Sequence, residues 1–294
     1  MKITVIDVGG TFIKYACMNE KNEILSRGKI QTPVNGREEF IKKIDDIFKS
    51  MPGSEGMAIS LPGIIDVERG YCVTSGALEY NNDFAIVDAL QKKCSVKVTI
   101  ENDARCAAIA EMKFGSLKDI NDGLVMVFGT GIGSAIIKDK KIHRGHNFSA
   151  GEISFLITDR DGSIVESDLF GYQCGTLGLC KMYAEKINAD EIDGIKFFKA
   201  VNDGDETAIE CLNKVTRRIA VQISNIQRIF DPEKIAIGGG ISAQEIFVES
   251  IRKNLNEIYD ESIVKLPHVE IVACKFLNDA NLIGALQYFL DKLK

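Results

Sequence analysis

The 294-residue sequence predicts an α/β protein of two related domains. Three observations carry that prediction. Short β-rich runs alternate with helical patterns along the chain. Three glycine-rich turns, around Gly9-Gly10, Gly129–Gly133 and Gly238–Gly240, each follow an apolar strand run. The plan of strand, glycine loop and returning strand also occurs twice, the second copy about 120 residues after the first. At this length each half can bury a core of its own.

Residues 3–7 form the first strand, Asp7-Val8-Gly9-Gly10-Thr11 its turn, 12–18 the returning strand and 24–30 a third. A helix over 38–51 places Phe40, Ile41, Ile44, Ile47 and Phe48 at helical spacing, and Pro52 ends it. A buried strand at 57–61 stops at Pro62-Gly63, and a helix over 84–93 leads to a strand at 96–100. There Glu101-Asn102-Asp103 precedes an alanine-rich run. Asp103 reads as the N-cap of a helix, at a strand's carboxyl end, where α/β proteins commonly display reactive groups. Around 115–123 the chain turns polar and crosses into the second domain. The strand 124–128, the loop Gly129-Thr130-Gly131-Ile132-Gly133-Ser134 and the strand 135–139 follow. Residues 144–180 are glycine-rich and read as loop-dominated. A long helix over 206–230 carries one apolar stripe and ends at Asp231-Pro232. A strand at 234–237 runs into Gly238-Gly239-Gly240 and another helix. A strand at 269–274 and an apolar helix over 280–293 close the chain.

Composition narrows the function classes. Hydrophobic residues make up 45% and charged residues 27%, as in soluble globular proteins. The net charge of −6 argues against nucleic acid or an anionic membrane as a partner. With no eighteen-residue apolar window and no signal-peptide pattern at the start, a cytoplasmic protein is expected. The eight cysteines are scattered and read as buried, reduced thiols. His143 and His146 flank Arg144-Gly145 in a loop and read as solvated.

Glycine at these turns allows positive φ and close approach of a ligand to backbone N–H groups, as phosphate binding requires. No P-loop run is present. A dinucleotide-binding fold would need its glycine loop to open a helix, whereas Gly129–Ser134 is followed by a strand. What remains is two related domains, each opening with a hairpin whose turn touches phosphate, and a nucleotide held between them.

The set Asp7-Val8-Gly9-Gly10-Thr11, Glu101-Asn102-Asp103-Ala104, Gly129-Thr130-Gly131-Ile132-Gly133, Ala150-Gly151-Glu152-Ile153 and Gly238-Gly239-Gly240-Ile241 resembles the ROK family over essentially the whole chain. These are sugar kinases of the actin/hexokinase/Hsp70 superfamily, and the stretch from Leu61-Pro62-Gly63 to Ser75-Gly76-Ala77-Leu78 looks closest to bacterial β-glucoside kinases. The resemblance implies two actin-like (ribonuclease H-like) domains, residues 1–116 plus 280–294 and residues 117–279. It also implies ATP-dependent phosphorylation of a hexose or hexoside hydroxyl, the 6-OH by family analogy, and a homodimer.

Its site residues follow by position. Asp103 resembles the base that takes the proton of the attacking sugar hydroxyl. Asn102, Gly63, Glu152 and either Asn81 or Asn82 resemble sugar contacts. Asp7 resembles the carboxylate that orients Mg²⁺ through water. Gly9, Gly10, Thr11 and Lys14 would face the terminal phosphates, Thr130, Gly131 and Gly133 form the second phosphate loop, and Gly238, Gly239 and Gly240 lie against the adenosine. Two departures stand out. Where zinc-bearing members have His, this chain has Phe155. In their motif Cys-x-Cys-Gly-x-x-Gly-Cys it has Tyr172 and Leu179 at two cysteine positions, with Cys174 kept and Cys180 one place late. No structural zinc is therefore expected. Phe155 would offer an apolar wall near the anomeric end of a bound sugar, which suits a β-glucoside.

Two other readings compete. A sugar-responsive transcriptional regulator of the same family would carry a helix-turn-helix before the first strand, for which the sequence has no room. A sugar-binding regulatory protein without turnover is countered by the intact Asp103.

Overall fold

The computed structural model describes residues 1–158, 162–265 and 267–294. The chain divides into two compact units. One comprises Met1–Lys113, Arg144–Ala150 and Asp279–Lys294; the other comprises Phe114–His143 and Gly151–Asn278.

The first unit is built on a five-stranded sheet. Strands β1 (Lys2–Val8), β2 (Phe12–Asn19) and β3 (Ile24–Gln31) form an antiparallel meander. Helix α1 (Arg37–Lys49) leads to β4 (Gly56–Leu61), which pairs parallel to β1. The two-residue strands β5 (Ile65–Asp66) and β6 (Tyr71–Cys72) make a small side ladder. Helix α2 (Ile86–Cys94) then leads to β7 (Lys97–Asn102), parallel to β4, giving the order β3-β2-β1-β4-β7. Strand β4 is buried along its whole length because helices cover both faces of the sheet. On one face Phe40 and Ile44 of α1 and Ile86 and Leu90 of α2 join Ile6, Ile59 and Ile100 in a core cluster. The opposite face is covered by α9 (Ala280–Asp291), and α3 (Asp103–Phe114) packs against α9. Both are buried on nearly all sides rather than along one stripe. They approach closely: a Cβ placed on Gly284 of α9 would lie 1.8 Å from the carbonyl oxygen of Cys106 in α3.

The second unit repeats the plan. Strands β8 (Gly123–Phe128), β9 (Ile132–Lys138) and β10 (Lys141–His143) form a meander, and β11 (Lys234–Gly238) and β12 (Glu270–Ala273) add in parallel, in the order β10-β9-β8-β11-β12. The internal repeat read from the two glycine hairpins is thus a repeat of whole sheets, and the fold is the two-domain actin-like one. Helices α4 (Phe170–Cys174), α5 (Thr176–Ile187), α6 (Gly194–Asn202), α7 (Glu206–Phe230) and α8 (Glu245–Glu261) pack with this sheet. Asp193 and Asp205 cap α6 and α7, accepting from Lys196 N at 2.7 Å and Ala208 N at 2.8 Å.

The loop expected over 144–180 is corrected in its second half, which is helical from Phe170; residues 159–161 lie outside the described residues. Gly171 and Gly178 read as breakers, but they mark close packing. A Cβ on Gly171 would lie 1.9 Å from Ser154 Oγ, and one on Gly178 would lie 2.2 Å from the Tyr172 carbonyl oxygen. None of the eight cysteines is in a disulfide, and all but Cys94 are buried.

Candidate active site

In the first unit the candidate residues gather at the carboxyl ends of β1, β4 and β7. Asp7 is the penultimate residue of β1, with Lys14 of β2 opposite it and Ser60 of β4 beside it in register. Its Oδ1 accepts from Ser60 Oγ at 3.0 Å and from Asn281 Nδ2, on the first turn of α9, at 2.9 Å. Burial raises the Asp7 carboxyl above its ordinary range, against the opposing pull of Asn281, the Lys14 ammonium and Ser60. The turn after it is shaped by Gly9 N–H donating to Phe12 O at 3.0 Å and by Thr32, whose Oγ1 donates to Gly9 O at 2.6 Å. Gly10 and Thr11 at its tip are exposed.

Where β7 passes into α3, three successive carboxylate and amide side chains have different duties. Glu101 is fully buried; it accepts from Asn102 N–H at 2.9 Å and forms an ion pair with Arg144. Asn102 Oδ1 accepts from Arg105 N at 3.0 Å, the geometry of an N-cap. The expected cap at Asp103 is therefore corrected: Asn102 caps α3, and Asp103 is its first residue. The shift by one place leaves the Asp103 carboxylate held by its immediate neighbours, Oδ1 accepting from Ala104 N at 2.8 Å. Burial pushes its pKa up to about 6, the nearby Asp7 raising it too, while the backbone N–H groups of Ala104 and Asp103 and the Asn102 side chain pull the other way. A carboxylate held near 6 is charged at neutral pH and able to accept a proton.

The loop side of this group is held by Gly63 and the 75–82 segment. Asn102 Nδ2 donates to Gly63 O at 3.0 Å. Gly63 has φ +95°, and a Cβ there would lie 2.4 Å from Thr74 O, so only glycine fits. The two asparagines differ. Asn82 Oδ1 accepts from Ser75 N at 2.8 Å and serves the loop itself. Asn81 is fully buried, yet neither its Oδ1 nor its Nδ2 has a hydrogen-bond partner, and the buried Ser75 Oγ has none either.

In the second unit, Thr130 and Gly131 form the turn between β8 and β9, and Gly133 lies within β9, paired with Val127. The turn is bonded to the start of α5, with Thr176 N–H donating to Gly129 O at 2.9 Å. Gly239 has φ +93°, and a Cβ on it would lie 2.1 Å from Phe128 O, so Gly238–Gly240 and the β8–β9 turn adjoin. A Cβ on Gly129 or Gly240 would meet nothing within 4 Å, and one on Gly131 only Ser154 Oγ at 4.0 Å. These backbones are open to an approaching phosphate. Glu152 precedes the 3-10 turn Ile153–Phe155, and Phe155 is 63% exposed.

Ser60, Asn281, Thr32, Arg105 and Arg144 escaped the sequence reading. Arg105 is fully buried in α3 and donates to Phe148 O at 2.6 Å; with the Arg144–Glu101 pair it ties the 144–150 segment to the head of α3. An arginine inside an alanine run was the one visible signal. Cys174 and Cys180 are buried, and burial raises their thiols to about 12 and about 11. Among the described residues no group of three or more His, Cys, Asp or Glu is arranged to hold a metal ion.

Comparison with known proteins fits this frame. The ROK family model matches residues 3–292. A β-glucoside kinase of Klebsiella pneumoniae is 30% identical, the match covering 98% of this chain and 96% of that protein. An N-acetyl-D-glucosamine kinase of Aliivibrio fischeri is 31% identical over 85% of this chain and 87% of its own. A crystal structure of a ROK family protein from Streptococcus pneumoniae in complex with sucrose superposes with a TM-score of 0.89 at 29% identity, covering 100% of this chain and 99% of that one. No helix among the described residues is long and apolar enough to cross a membrane. Two repeated sheets, a carboxylate at the head of a buried helix and glycine turns after β1, β8 and β11 thus accompany a full-length family match: the chain belongs to the ROK family.

Proposed function

We propose that the protein is an ATP-dependent carbohydrate kinase that phosphorylates a hexose or hexoside, at the 6-OH, with Asp103 as general base. The first unit carries the first phosphate loop and the base; the second carries the second phosphate loop and the glycines for the adenosine. The observation that carries the reading is the partnering of Asp103. It is the first residue of a buried helix whose cap is supplied by Asn102, so its carboxylate is held in place without being consumed by capping.

In the reaction, the Asp103 carboxylate takes the proton of the acceptor O–H as that oxygen bonds to the γ-phosphorus and the bond to the β-phosphate oxygen breaks, releasing ADP. Asn102, Gly63 and Glu152 orient the sugar. Asn81, buried with an unpartnered amide, is the further contact, because Asn82 is occupied by Ser75 N–H. Lys14 and the Gly9–Thr11 turn face the terminal phosphates, and Thr130, Gly131 and Gly133 the second phosphate loop's share. Asp7, whose Oδ1 is fixed by Ser60 and Asn281, would hold Mg²⁺ through water. When bound, that ion neutralises charge on the phosphates. The reading includes a cytoplasmic homodimer without structural zinc, since Phe155, Tyr172 and Leu179 stand where ligands would be needed.

The test is ADP release on a panel of glucose, N-acetylmannosamine, N-acetylglucosamine and β-glucosides. Sugar-dependent release is expected; release with none of them would overturn the kinase reading in favour of sugar binding without turnover.

A further inference from the structure

The first unit holds a hollow of about 320 Å³ that no step of the proposed reaction uses. It runs beside β7, the edge strand of the sheet, between the β5–β6 hairpin, the start of α2 and the end of α9. Its volume is at the low end for small-molecule sites, room for one sugar ring with a substituent.

Two hydroxyls in its wall lack partners. Thr99 and Tyr288 line the hollow and are each 8% exposed, and neither Thr99 Oγ1 nor Tyr288 Oη has a hydrogen-bond partner. A buried hydroxyl left unpaired is costly, so each such group calls for a partner from outside the chain. Burial, with Glu101 adding to it, raises the Tyr288 phenol above its ordinary range, so it stays protonated and able to donate.

The charged groups say what that partner carries. Lys292 is already shared with Glu68, Nζ to Oε1 at 3.6 Å. Lys97 Nζ donates to the Lys292 carbonyl oxygen at 2.6 Å, and the Arg69 guanidinium lies over the Tyr71 ring, 5.0 Å from its centroid. Among the described residues neither Lys97 nor Arg69 is paired with a carboxylate, and Asp88, also in the wall, is paired with no cation. Two unpaired cations match the charge of a phosphate monoester, about −2 at neutral pH. The two hydroxyls add donors for its oxygens. Asp88 only accepts, which suits hydroxyls on the body of the same ligand.

We propose that this hollow is a binding site for a hexose monophosphate, its phosphate held by Arg69, Lys97 and the Thr99 and Tyr288 hydroxyls, its ring hydroxyls by Asp88. None of these residues is among those given to sugar, nucleotide or proton transfer, so the inference stands apart from the kinase reading.

The experiment is calorimetric titration of the full chain with glucose 6-phosphate, in excess glucose to fill an acceptor pocket. Wild type, Lys97→Met and Tyr288→Phe are compared, and inorganic phosphate and glucuronate are titrated into wild type. One equivalent of glucose 6-phosphate is expected to bind the wild type, about tenfold or more weaker in Lys97→Met and about fivefold weaker in Tyr288→Phe. Inorganic phosphate and glucuronate should both bind about tenfold or more weakly than the sugar phosphate. Thermal unfolding should find Tyr288→Phe at least as stable as wild type, since the change removes only an unpaired hydroxyl. No binding by the wild type, or affinity unchanged in both variants, would overturn the site. Inorganic phosphate bound as tightly as the ester would overturn the sugar, and glucuronate bound as tightly would overturn the phosphate. A less stable Tyr288→Phe would give the hydroxyl a partner within the chain and remove the ground for the inference. The readout is binding, so a protein that turns over no sugar would sink the kinase reading and leave this site to be decided by the titration alone.

Discussion

Replacing Asp103 with Asn should make the protein more stable and far less active. The substitution keeps the side chain's shape, and the amide oxygen can still accept from Ala104 N–H, which Asp103 Oδ1 does at 2.8 Å. What it removes is a carboxylate whose pKa stands at about 6 in place of 3.8, chiefly through burial, with Asp7 adding to it. At about 1.4 kcal/mol per pH unit the ionised form costs the fold on the order of 3 kcal/mol. Asp103 is partly exposed, so a gain of about 1–3 kcal/mol is the expectation for the Asn variant. The sign follows from the raised pKa. Below the ordinary value both folded and unfolded chains are protonated and the two proteins are equally stable in this respect. As pH rises past 4 and through 6 the wild type loses stability that the variant keeps, so the gap is complete above neutrality. Urea unfolding at pH 7.5 and pH 4.5, without nucleotide or metal, measures it. Turnover should fall by about 10²–10⁴-fold, the usual worth of a positioned base, with far smaller changes in ATP and sugar affinity. A variant no more stable than wild type at pH 7.5, or one that retains turnover within tenfold, would refute the reasoning.

Three further outcomes are expected. Gly284→Ala would force a methyl to within 1.8 Å of the Cys106 carbonyl, so α9 must move off α3; thermal unfolding should show a loss of about 1–3 kcal/mol or more. Arg144→Leu would strand the fully buried Glu101 carboxylate and should cost about 3–5 kcal/mol in urea unfolding, part of it regained when Glu101→Gln is added. Asn81→Ala should raise the sugar KM with little loss of stability, since its amide has no partner to lose, whereas Asn82→Ala should cost about 1–3 kcal/mol by orphaning Ser75 N–H.

The longer strands were legible because each carries its own pattern, whereas β5, β6 and β10, two or three residues long, are too short to show one. Strands β1, β4 and β8 are short apolar runs bounded by turn residues, and the glycine loops repeat with the hairpins. Helices with one apolar stripe, such as α7, were equally plain, and its bounds are the expected ones. The helices from Phe170 were hidden because Gly171, Gly175 and Gly178 look like loop residues until their neighbours are known. At the site, Asp7, Asn102 and Asp103 stand at strand ends, where position alone singles them out. Asn281, Ser60 and Arg144 do their work across long sequence separations, to Asp7 and Glu101, so nothing local marks them. The exchange of roles between Asn102 and Asp103 likewise turns on a one-residue shift of the helix start, finer than a residue-type preference resolves.

The most direct measurement is phosphorus NMR of the wild-type protein mixed with ATP, Mg²⁺ and a hexose or β-glucoside. The account predicts a new sugar 6-phosphate resonance that grows with ADP and requires both substrates. ADP formed with free phosphate only, or no transfer to any sugar, would contradict it.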